Sequence, residues 1–214
     1  MTAKRKPART AATRWHPGPP SLFGRGAVGL LGGSFNPAHE GHAYIARTAL
    51  ERLGLDEVWW LVSPGNPLKP VAGMAPLAER FASAMARAPT RRMRVTDIEA
   101  ELGTRYSAEA IKRLRARYPR LSFVWLMGAD NLAQIPAWKD WSSIFHTVPV
   151  AVFARPHYLE RALSGAASAR FRDGRLPERA ARRLARHAPP AWIFIHSRLV
   201  AASASAIRAR KRAR

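Results

Sequence analysis

The stretch Gly32-Gly33-Ser34-Phe35-Asn36-Pro37-Ala38-His39-Glu40-Gly41-His42 gathers residue types suited to holding an anion. Gly32 and Gly33 carry no Cβ, so the backbone there can turn sharply and approach a ligand closely. Pro37 fixes one backbone angle within the turn. His39 and His42 are three apart across Gly41, a spacing that puts both imidazoles on one side of a helix start. Imidazole N–H groups at a helix N-terminus complement a polyphosphate, because the helix dipole already favours negative charge there. A metal ion is the other use of such a pair. The spacing gives only two ligands, with no nearby carboxylate on that face, so no metal is expected at the histidines. Either histidine alone would be read as a structurally satisfied one; the surrounding glycines and proline argue against that for the pair.

These residues need a strand before them and a helix after them. Ala27-Val28-Gly29-Leu30-Leu31 is a short apolar run bounded by glycines, as a buried strand would be, and His42 to Gly54 has apolar residues at helical spacing with a glycine at its end. Strand patterns follow at 27–32, 57–63, 92–97, 121–127, 148–154 and 191–196. Helical patterns separate them at 41–53, 76–88, 106–118, 130–146 and 157–165. The alternation predicts one α/β domain over residues 26–214, Rossmann-like, with a doubly wound parallel sheet and ligands outside the carboxyl ends of its strands. Residues 1–25, rich in Pro, Arg and Ala, read as a disordered basic arm.

A chain of 214 residues suits one such domain. The absence of cysteine excludes disulfides, thiolate metal sites and a cysteine nucleophile. No apolar run reaches membrane-spanning length, and no apolar segment follows the basic N-terminus as in a secretion signal, so a cytoplasmic protein with no membrane partner is expected. Of the net charge of +22, half sits at the two ends: six cations and no acid in residues 1–25, five and none in 208–214. A third Arg-rich stretch, 169–190, reads as an exposed helix with loops. No aromatic residues interleave the basic runs, so a solvated surface is expected rather than a nucleic-acid footprint. Gly24, Gly26 and Gly29 spell a dinucleotide fingerprint, but they precede the first strand instead of following it, and a Walker lysine motif is absent.

The turn resembles the first signature of nucleotidyltransferases related to class I aminoacyl-tRNA synthetases, with His39-Glu40-Gly41-His42 as its H-x-G-H element. Ala202-Ser203-Ala204-Ser205-Ala206-Ile207-Arg208 resembles the second, of I-S-S-T-x-I-R type. Gly128-Ala129-Asp130-Asn131 after a strand, with Ile135-Pro136-Ala137-Trp138-Lys139-Asp140-Trp141, resembles the nicotinate-mononucleotide adenylyltransferase branch. Asn36 stands where Asp is more usual, Ser205 where Thr is, and Ala202 and Ala204 replace an isoleucine and a serine. The resemblance implies that the adenylyl group of ATP passes to nicotinate mononucleotide, giving nicotinate adenine dinucleotide and pyrophosphate. It implies ATP at Gly32, Gly33, Ser34, Phe35, His39, His42, Gly128, Asp130, Ser205 and Arg208. His42 with His39 would hold the α-phosphate, Arg208 and Ser205 the departing pyrophosphate, and Mg²⁺ would be held mainly through the ATP phosphates.

Several residues keep two uses open. Asp130 is an acceptor for the ATP ribose or a helix cap. Lys69, on a Pro/Gly loop, reaches the site or is solvated. Ser107 donates to an anionic substrate or caps its helix. Of Trp138 and Trp141 one packs inward and the other stacks on a ring; the resemblance favours Trp138 as the stacker. The nicotinate pocket is therefore expected from Lys69, Ser107, Trp138 and Lys139, with backbone N–H groups near the last two as donors. Two such donors would prefer the acid over the amide mononucleotide by at least ~100-fold. A nicotinamide-mononucleotide enzyme, or a basic nucleic-acid-binding protein on a nucleotide-binding fold, are the alternatives.

Overall fold

The computed structural model describes residues 24–65, 73–197, 204 and 207–209. Seven strands form one parallel sheet: β1 (Gly26–Gly33), β2 (Glu57–Val62), β3 (Met93–Thr96), β4 (Leu121–Gly128), β5 (Val150–Phe153), β6 (Arg175–Leu176) and β7 (Trp192–Ile195), in the order β3-β2-β1-β4-β5-β7-β6. The helices are α1 (Glu40–Arg52), α2 (Leu77–Met85), α3 (Ile98–Glu101), α4 (Ser107–Arg117), α5 (Ala129–Gln134), α6 (Trp141–Thr147), α7 (Leu159–Leu163) and α8 (Ala166–Arg170).

Strands buried on both faces read as unbroken apolar runs, and β2 shows why. Its consecutive Trp59 and Trp60 are both fully buried, but successive side chains leave a strand on opposite faces. Trp60 joins Leu31, Leu126, Ala46 of α1 and Phe81 of α2 in one core; Trp59 joins Leu30, Trp125, Ile111 and Leu114 of α4 and Phe145 of α6 in the other. Two helical layers therefore clamp the sheet. Helix α1 buries Ala43, Ile45, Ala46, Ala49 and Leu50 and stops at Gly54, whose φ of 62° suits a residue without a Cβ.

The strand order runs from β1 outward in both directions, to β2 and β3 on one side and to β4 and β5 on the other. That reversal leaves a crevice beyond the carboxyl ends of β1 and β4, where ligands of such sheets bind. No helix among the described residues is long and apolar enough to cross a membrane.

Three expectations need correction. The helical pattern at 130–146 is three elements: α5, a 3-10 turn at Ile135–Ala137 and α6. Pro136 has no N–H to continue α5, and Asp140 takes a left-handed φ of 52° before α6. The break brings Trp138 out to the crevice. The 157–165 pattern ends at Leu163 and is followed by a separate α8. The 169–190 stretch is not an exposed helix: it carries edge strand β6 and a 3-10 helix, Glu178–Arg186, whose Ala181 and Leu184 are buried in the α1-side core while its arginines stay in solvent. Helix α3 and strand β6 are too short to leave a periodic signal. The basic arm lies, but for its last two residues, outside the described residues.

Gly32 has a second reason to be glycine. A Cβ on it would overlap the ring of Trp125 on neighbouring β4, so the missing side chain also serves the core. At Gly33 the nearest atoms to a Cβ are those of the Phe35 ring at 3.4 Å, an ordinary contact. Trp125 is 1% exposed and has nowhere to move. Gly32→Ala is expected to cost about 1–3 kcal/mol through overpacking, and Gly33→Ala to stay within about 0.5 kcal/mol of wild type. Denaturant midpoints of the two variants check this.

Candidate active site

The turn from β1 into α1 is held under strain. Phe35 has a φ of 46°, a left-handed conformation that costs a non-glycine residue roughly 1–3 kcal/mol and persists only where the surroundings enforce it. Here they do: Phe35 is 1% exposed, its ring stacked on Trp60 at 5.3 Å and tilted against His42 at 4.8 Å. The next peptide bond, Asn36–Pro37, is cis. Asn36 is buried and uses both halves of its amide: Nδ2 donates to the Gly73 carbonyl at 2.9 Å, and Oδ1 accepts from the Ala75 N–H at 3.3 Å. An aspartate could not make the first of these. The Asn36 carbonyl in turn accepts from Arg208 at 2.6 Å, which ties the chain's last described segment to this turn.

Arg80 of α2 braces the same region. It is 2% exposed and donates only to carbonyls: Nε to Ala75 at 2.9 Å, one terminal nitrogen to Ser34 at 2.9 Å and Ser63 at 2.7 Å, the other to Pro64 at 3.2 Å. The ends of β1 and β2 are thereby fixed to one another.

His39 caps α1 from an extended backbone, φ −145° and ψ 171°. Its N–H donates to His42 Nδ1 at 3.1 Å, and its carbonyl accepts from the His42 N–H at 2.9 Å. With Nδ1 accepting, a neutral His42 carries its proton on Nε2. The two rings lie 3.9 Å apart. His39 itself is 5% exposed, and its Nδ1 is buried without a hydrogen-bond partner among the described residues. Burial, then the charges of Arg155 and Arg87, lower its pKa to about 4. His39 is therefore a neutral imidazole at physiological pH.

Beyond these ends lies a cleft of about 960 Å³, the size of a small-molecule site. Of the expected residues, Gly32, Gly33, Ser34, Phe35, His39, His42, Gly128, Asp130, Ser107, Trp138 and Lys139 all line it. Lys69 and Ser205 lie outside the described residues. Arg208 sits on the turn's Asn36 carbonyl rather than in the cleft wall, while Ala204 of its segment does reach the cleft. Asp130 is not a cap: Gly128 holds that position, and the Asp130 carboxylate faces Arg155 Nε at 3.6 Å. Ser107 is the first residue of α4, whose cap is Tyr106. Trp141 makes edge contacts with Phe145 and Phe171, leaving Trp138 at the cleft. One expected donor is spent elsewhere: the Trp138 N–H bonds the Ile135 carbonyl at 2.8 Å, closing the 3-10 turn.

Sequence reasoning missed Arg155, Arg80 and Glu99. Arg155 follows β5, where loops reach the site, and that position was its one available signal. Glu99, in four-residue α3, lines the cleft though only 2% exposed. Burial raises its pKa to about 7, against a hydrogen bond with Ser63 that lowers it. The proton is held more tightly in the folded chain than in the unfolded one. Glu99 thus adds stability that is complete below about pH 4.5 and lost as pH rises through about 7. Between about pH 5 and pH 7.5 wild type should lose on the order of 2 kcal/mol more than Glu99→Gln. Urea titrations of both proteins at the two pH values measure the difference; parallel losses would refute it.

Comparison with known proteins agrees with this geometry. Residues 30–210 match the cytidylyltransferase-like family. The chain is 53% identical over 182 residues to a probable nicotinate-nucleotide adenylyltransferase of Cereibacter sphaeroides, covering 85% of this chain and 96% of that one. It is 50% identical over 185 residues to one of Gluconacetobacter diazotrophicus, covering 86% of each. Among solved structures, Plasmodium falciparum nicotinic acid mononucleotide adenylyltransferase complexed with NaAD superposes with a TM-score of 0.66 at 14% identity, over 86% of this chain and 83% of that one. At that identity the likeness speaks for the Rossmann-like fold. By sequence, from the strand before the histidines to the arginine that ties back to them, this chain belongs to the nicotinate-nucleotide adenylyltransferase family, within the cytidylyltransferase-like proteins.

Proposed function

We propose that the cleft transfers the adenylyl group of ATP to nicotinate mononucleotide. A phosphate oxygen of the mononucleotide attacks the α-phosphorus of ATP in line, the bond to the β-phosphate oxygen breaks, and pyrophosphate leaves with the electron pair. The attacking oxygen is already anionic, so no general base is needed, and the work is positioning and charge stabilisation. The observation that carries this reading is the tautomer lock: His42 Nδ1 accepts from the His39 N–H at the start of α1, which leaves Nε2–H as the donor. His42 then meets the α-phosphate together with the N-terminal dipole of a thirteen-residue helix. Asp130, across the crevice at the end of β4, takes the ribose hydroxyls. Arg208, bound to the turn, takes the pyrophosphate, with Ser205 and Lys69 as further contacts.

Mg²⁺, held mainly through the ATP phosphates, would shield the triphosphate charge. Among the described residues no three His, Asp or Glu side chains gather, and the cleft carboxylates Asp130 and Glu99 face Arg155 and Ser63. That donor set suits an ion held by phosphates and water rather than by a carboxylate cage.

The pyridine ring lies against Trp138. Its carboxylate, an acceptor only, meets the Ser107 hydroxyl, with Lys139 nearby over the Tyr106 ring at 4.5 Å. With the Trp138 N–H engaged by Ile135, the Ser107 hydroxyl and the Lys139 backbone N–H remain as the expected donors. A hydrogen bond to a charged group is worth about 1.5–3 kcal/mol, so Ser107 alone contributes roughly 10- to 100-fold to the preference for acid over amide. Ser107→Ala should erase most of that contribution while leaving the KM for ATP in place; specificity constants for both mononucleotides decide it, and equal values in wild type would move the enzyme to nicotinamide mononucleotide.

His42→Ala should lower kcat by about 10²–10³ with little change in ATP affinity, because its donor acts on charge that develops during the reaction. Steady-state assays of pyrophosphate release measure it. Wild-type turnover in that variant would remove His42 from the chemistry.

A further inference from the structure

Arg155 sits where the two halves of the crevice meet, and two glycines make room for it. A Cβ at Gly41, between the histidines, would lie 2.7 Å from an Arg155 terminal nitrogen. A Cβ at Gly128, at the end of β4, would overlap the Asp130 carboxylate and lie 3.1 Å from Arg155 Nε and 3.2 Å from its Cγ. The Arg155 side chain therefore reaches from the end of β4 to the start of α1. Its side chain is only 15% exposed, Nε faces the Asp130 carboxylate at 3.6 Å, and the residue lines the cleft.

The neighbours define what a fixed cation does there. His39 has the His42 ring at 3.9 Å, and the charges of Arg155, after β5, and Arg87, beyond α2, both act on it. A polyphosphate entering at α1 thus meets one neutral imidazole beside one permanent cation.

We propose that Arg155 is a positioning residue of the adenylyl-transfer site: laid across Gly41 and Gly128, its guanidinium holds the Asp130 carboxylate in place for the ribose and supplies the positive charge that His39 does not. The proposal rests on the placement of ATP phosphates at His39 and His42 given above. Lysine could keep the charge but not the fork that reaches from the end of β4 to the start of α1.

The experiment compares Arg155→Gln and Arg155→Lys with wild type, by NMR titration of the His39 ring in ligand-free protein and by steady-state kinetics with MgATP at about pH 6 and pH 8. In Arg155→Gln the His39 titration should move up, stopping short of its ordinary value because burial remains the larger cause. Its KM for ATP should rise about tenfold or more at both pH values, the loss of a charge-assisted contact that His39, still kept neutral by burial, does not replace. Arg155→Lys should keep the wild-type His39 titration and show an intermediate KM. A His39 titration unmoved in Arg155→Gln, or a KM within twofold of wild type at both pH values, overturns the proposal. The arms are separable: an unaffected Arg155→Gln beside an inactive His42→Ala rejects the role of Arg155 alone. A fully active His42→Ala rejects the phosphate placement, and the His39 titration still reports on Arg155.

Discussion

The cleft depends on a buried guanidinium. Arg80 gives up water to make four hydrogen bonds to carbonyls of Ala75, Ser34, Ser63 and Pro64. Moving a cation into the interior costs several kcal/mol unless its donors are matched, and carbonyl oxygens at chain ends are themselves groups that burial would otherwise leave unpaired. Each side of the exchange repairs the other. The ends of β1 and β2 could not both lie open at the edge of a cleft and remain rigid without such a brace, because parallel strands stop hydrogen-bonding where the loops begin. Helix α2 carries no cleft residue, yet through Arg80 and Ser83, which accepts from the Ala38 N–H at 3.0 Å, it fixes the turn that does.

Rigidity at that turn is what makes the histidine pair specific. Phe35 in its left-handed conformation aims a ring between Trp60 and His42, and Asn36 locks the following backbone with both ends of its amide. His42 is then held by its neighbour's N–H and by an aromatic face, so its tautomer and ring plane are set before any substrate arrives. Preorganised donors cost no reorganisation when charge develops, and that is where an adenylyl transferase with an anionic nucleophile gains its rate.

Much of this was legible in the sequence because it rests on period and punctuation. The six apolar runs became six of the seven strands, and the glycines and proline around His39 marked the turn, since few residue types tolerate such backbone. What escaped depended on tertiary distance. Arg80 reads as one more solvated arginine on an amphipathic helix until its partners, contributed by two other loops, are known. Glu99 lies in a helix of four residues, too short to show a buried face. The Trp138 N–H looked available because nothing in Ile135-Pro136-Ala137 announces that the chain would close a 3-10 turn there instead of extending α5. The core role of Gly32 was equally hidden: the atoms that need the space of its missing Cβ belong to Trp125, one strand over.

The glycines of the two motifs can be read the same way. Gly41 and Gly128 are 87 residues apart in sequence, and a ligand-centred view treats each as a place where substrate comes close. In the folded chain both lie against Arg155, and Gly128 lies closer still to the Asp130 carboxylate that Arg155 faces. A cation at that position has two effects on its surroundings: it faces the Asp130 carboxylate as an ion-pair partner at 3.6 Å, and it disfavours a second positive charge on His39. A neutral His39 would be a handicap if the reaction needed an acid or a base. Attack by a phosphate on a phosphorus needs neither, so the site can assign charge to an arginine that no physiological pH removes and leave the imidazoles to direct hydrogen bonds. The division of labour follows from the reaction's own electrostatics, and the two glycines are where the backbone makes room for it.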